Sequence, residues 1–202
     1  RISPRTSTVI LRERSPVATA VAHPCEETAL AGALDAGAKK LITPILVGPA
    51  EKIKEVARRG GIDLAGTEIV DAPHSHASAA GAVELVRNGK ADLLMKGSLH
   101  TDELMGAVVS REKGLRTARR ISHVFLADVP TYPHPLMITD AAITIEPTLE
   151  DKVDIIQNAI DLAHVLGLAE PKVAILSAVE TVTSKIRSTI DAAALCKMAD
   201  RG

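Results

Sequence analysis

Residues 17–61 read VATAVAHPCEETALAGALDAGAKKLITPILVGPAEKIKEVARRGG, and apolar runs alternate there with amphipathic segments. The apolar runs predict strands at residues 17–22 and 41–47, and the amphipathic segments predict helices at 26–36 and 50–59. Strands separated by helices need crossover connections, which are right-handed and give a parallel sheet. The sequence therefore predicts an α/β fold.

The same alternation continues outward from this stretch. Apolar runs predict strands at residues 68–70 and 91–95, and each is followed by a helical pattern, at 78–87 and 102–110. Three apolar runs without a helix between them then indicate hairpins or a mixed sheet: residues 122–129, 135–139 and 142–145.

The α/β alternation resumes toward the end of the sequence. Thr148 is a suitable N-cap for a helix over residues 149–166, because acidic residues fill its first turn. A strand at 172–176 and a helix at 185–198 follow. Residues 1–15 have no clear period and are interpreted as a tail or linker.

Composition excludes several classes of protein. The chain of 202 residues has 24 Lys plus Arg against 25 Asp plus Glu, and its aromatic residues are only Phe125 and Tyr132. It therefore offers neither a basic surface nor stacking platforms for nucleic acid. The apolar runs are far shorter than the ~20 residues of a membrane-spanning helix, so no membrane partner is expected.

Signals for export are also missing. The N-terminal residues lack the apolar core of a secretory signal, so we expect a cytoplasmic protein. Cys25 and Cys196 lie far apart in the sequence without a CxxC pair, which is typical of reduced thiols.

The loops that follow strands are the places to look for a site, because parallel sheets bind ligands at the carboxyl ends of their strands. Residues 96–102 read KGSLHTD and place an ammonium, hydroxyls and an imidazole before helix amides, which suits a phosphate or oxyanion. The alternative is that Ser98 or Thr101 only caps the helix.

Three other segments have polar residues that could bind a ligand. Residues 114–120 contain three arginines, which suit phosphate, but on their own a solvated face is the favoured interpretation. Residues 177–185 contain hydroxyls and a lysine, which caps explain in part. Cys25 near a His could be a nucleophile, but packing is the favoured interpretation. His74 and His76 form an HxH pair for which helix capping is favoured over metal binding.

Six collinear runs resemble the phosphate acetyl/butyryltransferase family, also called phosphotransacetylases and phosphotransbutyrylases, and are most similar to its butyryl-type branch. The runs are residues 46–49 (LVGP), 94–104 (LMKGSLHTDEL), 114–117 (GLRT), 122–125 (SHVF), 138–143 (ITDAAI) and 171–177 (PKVAILS). The resemblance extends from about residue 17 to residue 202.

This resemblance implies an architecture of two α/β/α domains with mostly parallel sheets, like that of isocitrate and isopropylmalate dehydrogenases. The first domain would span residues 16–147, and residues 148–202 would be the start of a second domain that is incomplete in this chain. The family's catalytic Asp and neighbouring Arg would lie beyond Gly202, so no catalytic residue is assigned within the chain.

The resemblance also implies an acyltransferase of the cytoplasm, a homodimer that converts acyl-CoA and phosphate to acyl phosphate and coenzyme A. Neither a cofactor nor a metal is implied. Contacts to phosphate and the acyl group are expected from Lys96, Ser98, His100, Thr101 and Arg116. Contacts on the coenzyme A side are expected from Ser177, Thr183, Ser184 and Lys185.

Two alternatives remain open. One is a catalytically silent module that binds coenzyme A or phosphate, or serves as an assembly partner. The other is a decarboxylating or pyridoxine-pathway dehydrogenase of related architecture. A metal-dependent decarboxylase would need clustered Asp ligands, whereas the acidic residues here are scattered over the faces of the predicted helices.

Overall fold

A computed structural model describes residues 15–202 and divides them into two compact units, residues 15–117 and 118–202. The predicted tail at 1–15 lies outside the described residues except for Ser15. The units separate between Thr117 and Ala118, whereas the expected domain boundary lies at 147/148. That domain boundary stays a prediction.

The first unit is a four-stranded sheet with a helix after each strand. The strands have the order β3-β2-β1-β4 and every pair is parallel, as the sequence pattern predicts. The elements are β1 (Val17–Ala22), α1 (Glu27–Ala38), β2 (Ile42–Gly48), α2 (Ala50–Gly60), β3 (Glu68–Asp71), α3 (Ser75–Arg87), β4 (Leu93–Lys96) and α4 (Thr101–Val108).

Helices cover both faces of this sheet. Successive residues of a strand point to opposite faces, and β1 illustrates this: Ala20 packs in a cluster with residues of α3 and α4, while Val21 packs with residues of α1 and α2. Gly61 ends α2 in the left-handed conformation, with φ of 63°, which glycine adopts without strain.

The second unit contains a hairpin and two helices. Strands β5 (Val124–Ala127) and β6 (Leu136–Thr139) pair antiparallel, so the predicted hairpin is confirmed. Two helices follow, α5 (Leu149–Val165) and α6 (Arg187–Arg201). The predicted cap of α5 is also confirmed, because the hydroxyl of Thr148 accepts a hydrogen bond from the Asp151 amide at 3.2 Å.

Two predicted strands do not form. Residues 142–145 are irregular because the carboxylate of Asp140 accepts hydrogen bonds from the amides of residues 142, 143 and 144, which competes with strand pairing. Residues 172–176 are also irregular: no strand within the described residues pairs with them, and the side chains of Val173 and Leu176 are 51% and 85% exposed.

Within residues 15–202, no helix combines the length and the apolar character that crossing a bilayer demands.

Candidate active site

The carboxyl ends of β1 and β4 form the switch point of the first unit. From β1 the chain moves through β2 to β3, and it then returns to the other side of β1 to form β4. Ligands of open α/β sheets bind at such a reversal. Two loops meet here, residues 23–26 after β1 and residues 97–100 after β4.

The backbones of these two loops are in direct contact. The amide of Gly97 donates to the carbonyl of Ala22 at 2.8 Å, and the amide of Ser98 donates to the carbonyl of His23 at 2.9 Å. A Cβ atom on Gly97 would lie only 2.4 Å from the Ala22 carbonyl oxygen. Glycine is therefore required at position 97 by the closeness of the neighbouring loop.

The hydroxyl of Ser98 fixes the same contact. It donates to the carbonyl oxygen of His23 at 2.8 Å and accepts from the amide of Cys25 at 3.0 Å. Ser98 therefore does not cap α4, which corrects one alternative from the sequence. Its hydroxyl instead holds the β1 loop in place.

The ammonium group of Lys96 folds back over its own loop. Its Nζ atom donates to the carbonyl of Leu99 at 2.8 Å and to the carbonyl of Gly97 at 3.2 Å. An ammonium has three donors, so one remains for a ligand. Lys96 thus both shapes the loop and carries a positive charge into it.

Helix α4 begins beside this ammonium. Its first residue, Thr101, is exposed, and so is His100 before it. The amide of His100 donates to the carboxylate of Glu103 at 3.2 Å, so the hydroxyl of Thr101 is not the cap. The first amides of a helix lack intrahelical acceptors, and together with Lys96 they can bind an anion.

Glu103 connects α4 to the start of α3. Its carboxylate accepts from the Ser75 hydroxyl at 3.0 Å and lies 3.2 Å from Nε2 of His76. His74 caps α3 by accepting the Ala77 amide at 3.2 Å, so the capping interpretation is confirmed. No group of three potential metal ligands lies within residues 15–202.

The β1 loop contains Cys25 and His23 in different environments. Cys25 is 4% exposed, and burial raises the pKa of its thiol against the opposing charge of Lys52, so the reactive thiolate is disfavoured. The structure thus favours packing over a nucleophile. His23 is partly buried at a positive φ of 56°, and its Nδ1 lies 3.0 Å from the hydroxyl of Ser78.

The three arginines of residues 114–120 have different surroundings in the structure. Arg116 is exposed, and the neighbouring Leu115 amide donates to the Val108 carbonyl at the C-terminal end of α4. An eight-residue helix is about 12 Å long, so the structure does not bring the backbone of Arg116 to the 97–100 loop. Arg119 and Arg120 make ion pairs with Asp161 and Asp151, which fits the solvated-face alternative for these two.

The coenzyme A residues proposed from the sequence lie in the second unit, in the loop before α6. Of these four residues, Ser177 alone lines a cavity of about 310 Å³. The walls of this cavity also include Ile175, Leu176, Val179 and Ala192. Its hydroxyl lies 2.6 Å from that of Ser188. The remaining three serve the loop or face solvent: Thr183 hydrogen-bonds with Thr189, and Ser184 and Lys185 are exposed.

Sequence reasoning missed the roles of Ser78 and Glu103. Each lies within an ordinary helical pattern, and its partner is far away in sequence: His23 for Ser78, and Ser75 at the start of α3 for Glu103. Only the crossover that places α3 beside β1 and α4 brings these groups together. The sequence gives no local signal for either contact.

The first unit is thus an α/β fold whose switch point presents a lysine ammonium and the N-terminus of a helix, donors of a kind that suit an anion. The family described as Phosphate acetyl/butaryl transferase matches residues 75–202, more than half of the chain, and the chain belongs to this family.

Several curated proteins are similar to the chain. A protein named phosphate acetyltransferase from Rhizobium meliloti is 64% identical over 191 residues, which cover 95% of this chain and 60% of that protein. A phosphate butyryltransferase from Clostridium acetobutylicum is 40% identical over 191 residues, covering 95% and 63%. The chain therefore spans about three fifths of the length of these relatives.

Solved structures have the same fold. A branched-chain phosphotransacylase from Enterococcus faecalis V583 superposes with a TM-score of 0.72 at 26% identity, covering 90% of this chain and 63% of that one. A phosphotransacetylase from Streptococcus pyogenes gives 0.73 at 20% identity, covering 96% and 70%. The second similarity concerns the fold alone.

Proposed function

We propose that the protein transfers a short acyl group between coenzyme A and inorganic phosphate. A phosphate oxygen attacks the thioester carbonyl carbon, the carbon–sulfur bond breaks, and acyl phosphate and coenzyme A form. The observation that carries this proposal is the 64% identity to a protein named phosphate acetyltransferase across 95% of the chain. The same identity supports acetyl-CoA as the first substrate to test, with butyryl-CoA beside it.

The geometry of the β4–α4 loop supports a phosphate site. The third donor of Lys96, the exposed side chains of His100 and Thr101, and the first amides of α4 offer positive charge and hydrogen-bond donors together. The same donors suit the charge that develops on the carbonyl oxygen during transfer. We assign Ser98 to holding the loop rather than to contacting phosphate.

The cavity beside Ser177 supports a coenzyme A contact in the second unit. Its walls are mostly apolar, with hydroxyls from Ser177 and Thr189. Such a mixture suits an amide-containing alkyl arm. We propose no cofactor beyond these substrates, and we propose a cytoplasmic homodimer, as the resemblance implies.

The kinetic test compares Lys96→Ala with Lys90→Ala, an exposed lysine in the turn before β4. In the natural protein, release of coenzyme A from acetyl-CoA or butyryl-CoA should require phosphate and survive dialysis against a chelator. Lys96→Ala should lower kcat/KM for phosphate by about 10- to 100-fold, since it removes a charge-assisted contact. Lys90→Ala should leave it unchanged.

A second variant separates the two substrate sites. Ala192→Leu places extra volume in the wall of the cavity, so it should raise the KM for the acyl-CoA without changing that for phosphate. Saturable coenzyme A binding without phosphate-dependent turnover in the wild-type protein would instead favour the silent module. Light scattering on the same preparation measures whether it is a dimer.

A further inference from the structure

His23 stands at the switch point with one ring nitrogen held by the protein and the other free. It follows β1 directly, and its carbonyl is the acceptor for Ser98. Nδ1 lies 3.0 Å from the hydroxyl oxygen of Ser78, which is fully buried. Nε2 has no hydrogen-bond partner within residues 15–202.

The hydrogen-bond pattern assigns the tautomer of this ring. The hydroxyl oxygen of Ser78 is 2.8 Å from the carbonyl oxygen of His74, which can only accept, so the single hydroxyl proton points there. Ser78 then accepts a hydrogen bond from Nδ1–H of His23. In the neutral ring, Nε2 is therefore left as an acceptor.

The surroundings keep the ring neutral. Burial lowers the pKa of His23, and the charges of Lys52 on α2 and His74 before α3 lower it further, while Glu103 on α4 opposes them. A neutral acceptor adds no positive charge to a loop that already has the ammonium of Lys96. It offers an acceptor for a ligand's proton.

We propose that His23 makes the site selective for monohydrogen phosphate over sulfate by accepting the phosphate hydroxyl at Nε2, with Ser78 as the positioning residue. This inference rests on the proposed function. The two dianions have the same charge and nearly the same shape, but only phosphate carries a proton at mildly alkaline pH. When sulfate binds in place of phosphate, Nε2 of His23 has no ligand hydroxyl to accept from. An acceptor left without a donor disfavours sulfate.

The test measures phosphate and sulfate binding to the natural protein at mildly alkaline pH by titration calorimetry. His23→Asn is the informative variant, because Asn tolerates a positive φ and can still donate to Ser78 but has no equivalent of Nε2. The wild type should prefer phosphate by about tenfold or more. His23→Asn should bring the two affinities within about twofold, and His134→Asn in the second unit should retain the preference.

A second measurement does not depend on that variant. Nitrogen-15 spectra of the imidazoles should show His23 protonated at Nδ1, and phosphate but not sulfate should shift its Nε2 signal. Ser78→Ala should mix the tautomers and reduce the preference for phosphate. If the wild type binds phosphate and His23→Asn keeps the preference, this inference is wrong while the proposed function stands. If the wild type does not bind phosphate, both are wrong.

Discussion

The carbonyl oxygen of His23 accepts two hydrogen bonds from Ser98, one from its amide at 2.9 Å and one from its hydroxyl at 2.8 Å. Ser98 thus joins the loops after β1 and β4 with both its backbone and its side chain. A ligand at the switch point meets a surface whose shape depends on this pair.

Ser98→Ala should therefore destabilise the protein. It removes the hydroxyl donor to His23 and one of the two acceptors of the Cys25 amide, which also donates to the His23 carbonyl at 2.8 Å. We expect a loss of about 1–2 kcal/mol in the free energy of unfolding, because two hydrogen bonds between partly buried groups are lost. Urea denaturation measures it, with Ser184→Ala, an exposed serine, as a control expected to change by less than ~0.5 kcal/mol. Equal stability of both variants would contradict the bracing role.

Gly97→Ala tests the closeness of the two loops. The added Cβ would lie 2.4 Å from the Ala22 carbonyl oxygen and 2.6 Å from that of His23, so the backbone must shift. We expect a loss of at least about 2 kcal/mol, since overpacking against backbone has no side chain to yield. The matched control is Gly106→Ala in α4, where a Cβ meets no atom within 4 Å.

The control has an opposite expected sign, which sharpens the comparison. Ala is favoured over Gly within a helix by about 0.8–1.0 kcal/mol, so Gly106→Ala should be neutral or stabilising. Thermal unfolding followed by circular dichroism should thus show a lowered midpoint for Gly97→Ala and an unchanged or raised midpoint for Gly106→Ala. A destabilised Gly106→Ala together with a tolerated Gly97→Ala would mean that the two loops lie farther apart.

Local patterns were sufficient to predict the parallel sheet and the loop that follows β4 at its switch point. The runs around Val21 and Leu46 are apolar on both faces because helices cover both faces of these strands, so the sequence pattern indicates their burial. Contacts distant in sequence were not predictable. Ser78 reads as an ordinary helix residue until the crossover places it against His23.

In the second unit, two apolar runs that predict strands are irregular instead. Residues 142–145 have strand composition, but the Asp140 carboxylate captures their amides. Residues 172–176 also have it, and within the described chain they lack a neighbouring strand. The pattern of apolar residues shows which side chains tend to be buried. A strand also needs hydrogen-bond partners for its backbone amides, which this pattern does not show.

The stability of the protein should fall in acid partly through Asp140. Its partial burial raises the pKa, but hydrogen bonds from the amides of His123, Ile143, Ala142 and Thr144 outweigh that effect and leave the pKa below its usual value. A group with a lowered folded pKa stabilises the fold above its unfolded pKa of ~3.9, and this contribution is lost as the pH falls through the folded pKa.

Asp140→Asn checks this sign. At neutral pH the variant should be less stable by about 1 kcal/mol, a discounted value because the carboxylate is partly solvated. The difference from wild type should shrink below about pH 4. Urea denaturation across that range measures it, with Asp128→Asn, an exposed position after β5, as control. A difference that stays constant in acid would assign the effect to packing instead of charge.

The ion pair between Lys152 and Asp191 should stabilise the contact of α5 with α6. Nζ lies 2.6 Å from the carboxylate, and the side chains are only 22% and 8% exposed. Asp191→Ala leaves the lysine without its partner in a partly buried place, so we expect a loss of about 2–3 kcal/mol, below the range for fully buried pairs.

The control is Asp200→Ala, which removes a pair with Lys197 whose side chains are about 60% exposed, and such pairs contribute under ~1 kcal/mol. The double variant Lys152→Met with Asp191→Ala should recover part of the loss, because the partner that it still leaves, Arg187, is exposed to water. Urea denaturation of all three variants decides the matter: equal losses from Asp191→Ala and Asp200→Ala would show that water reaches the Lys152 pair as freely as the surface one.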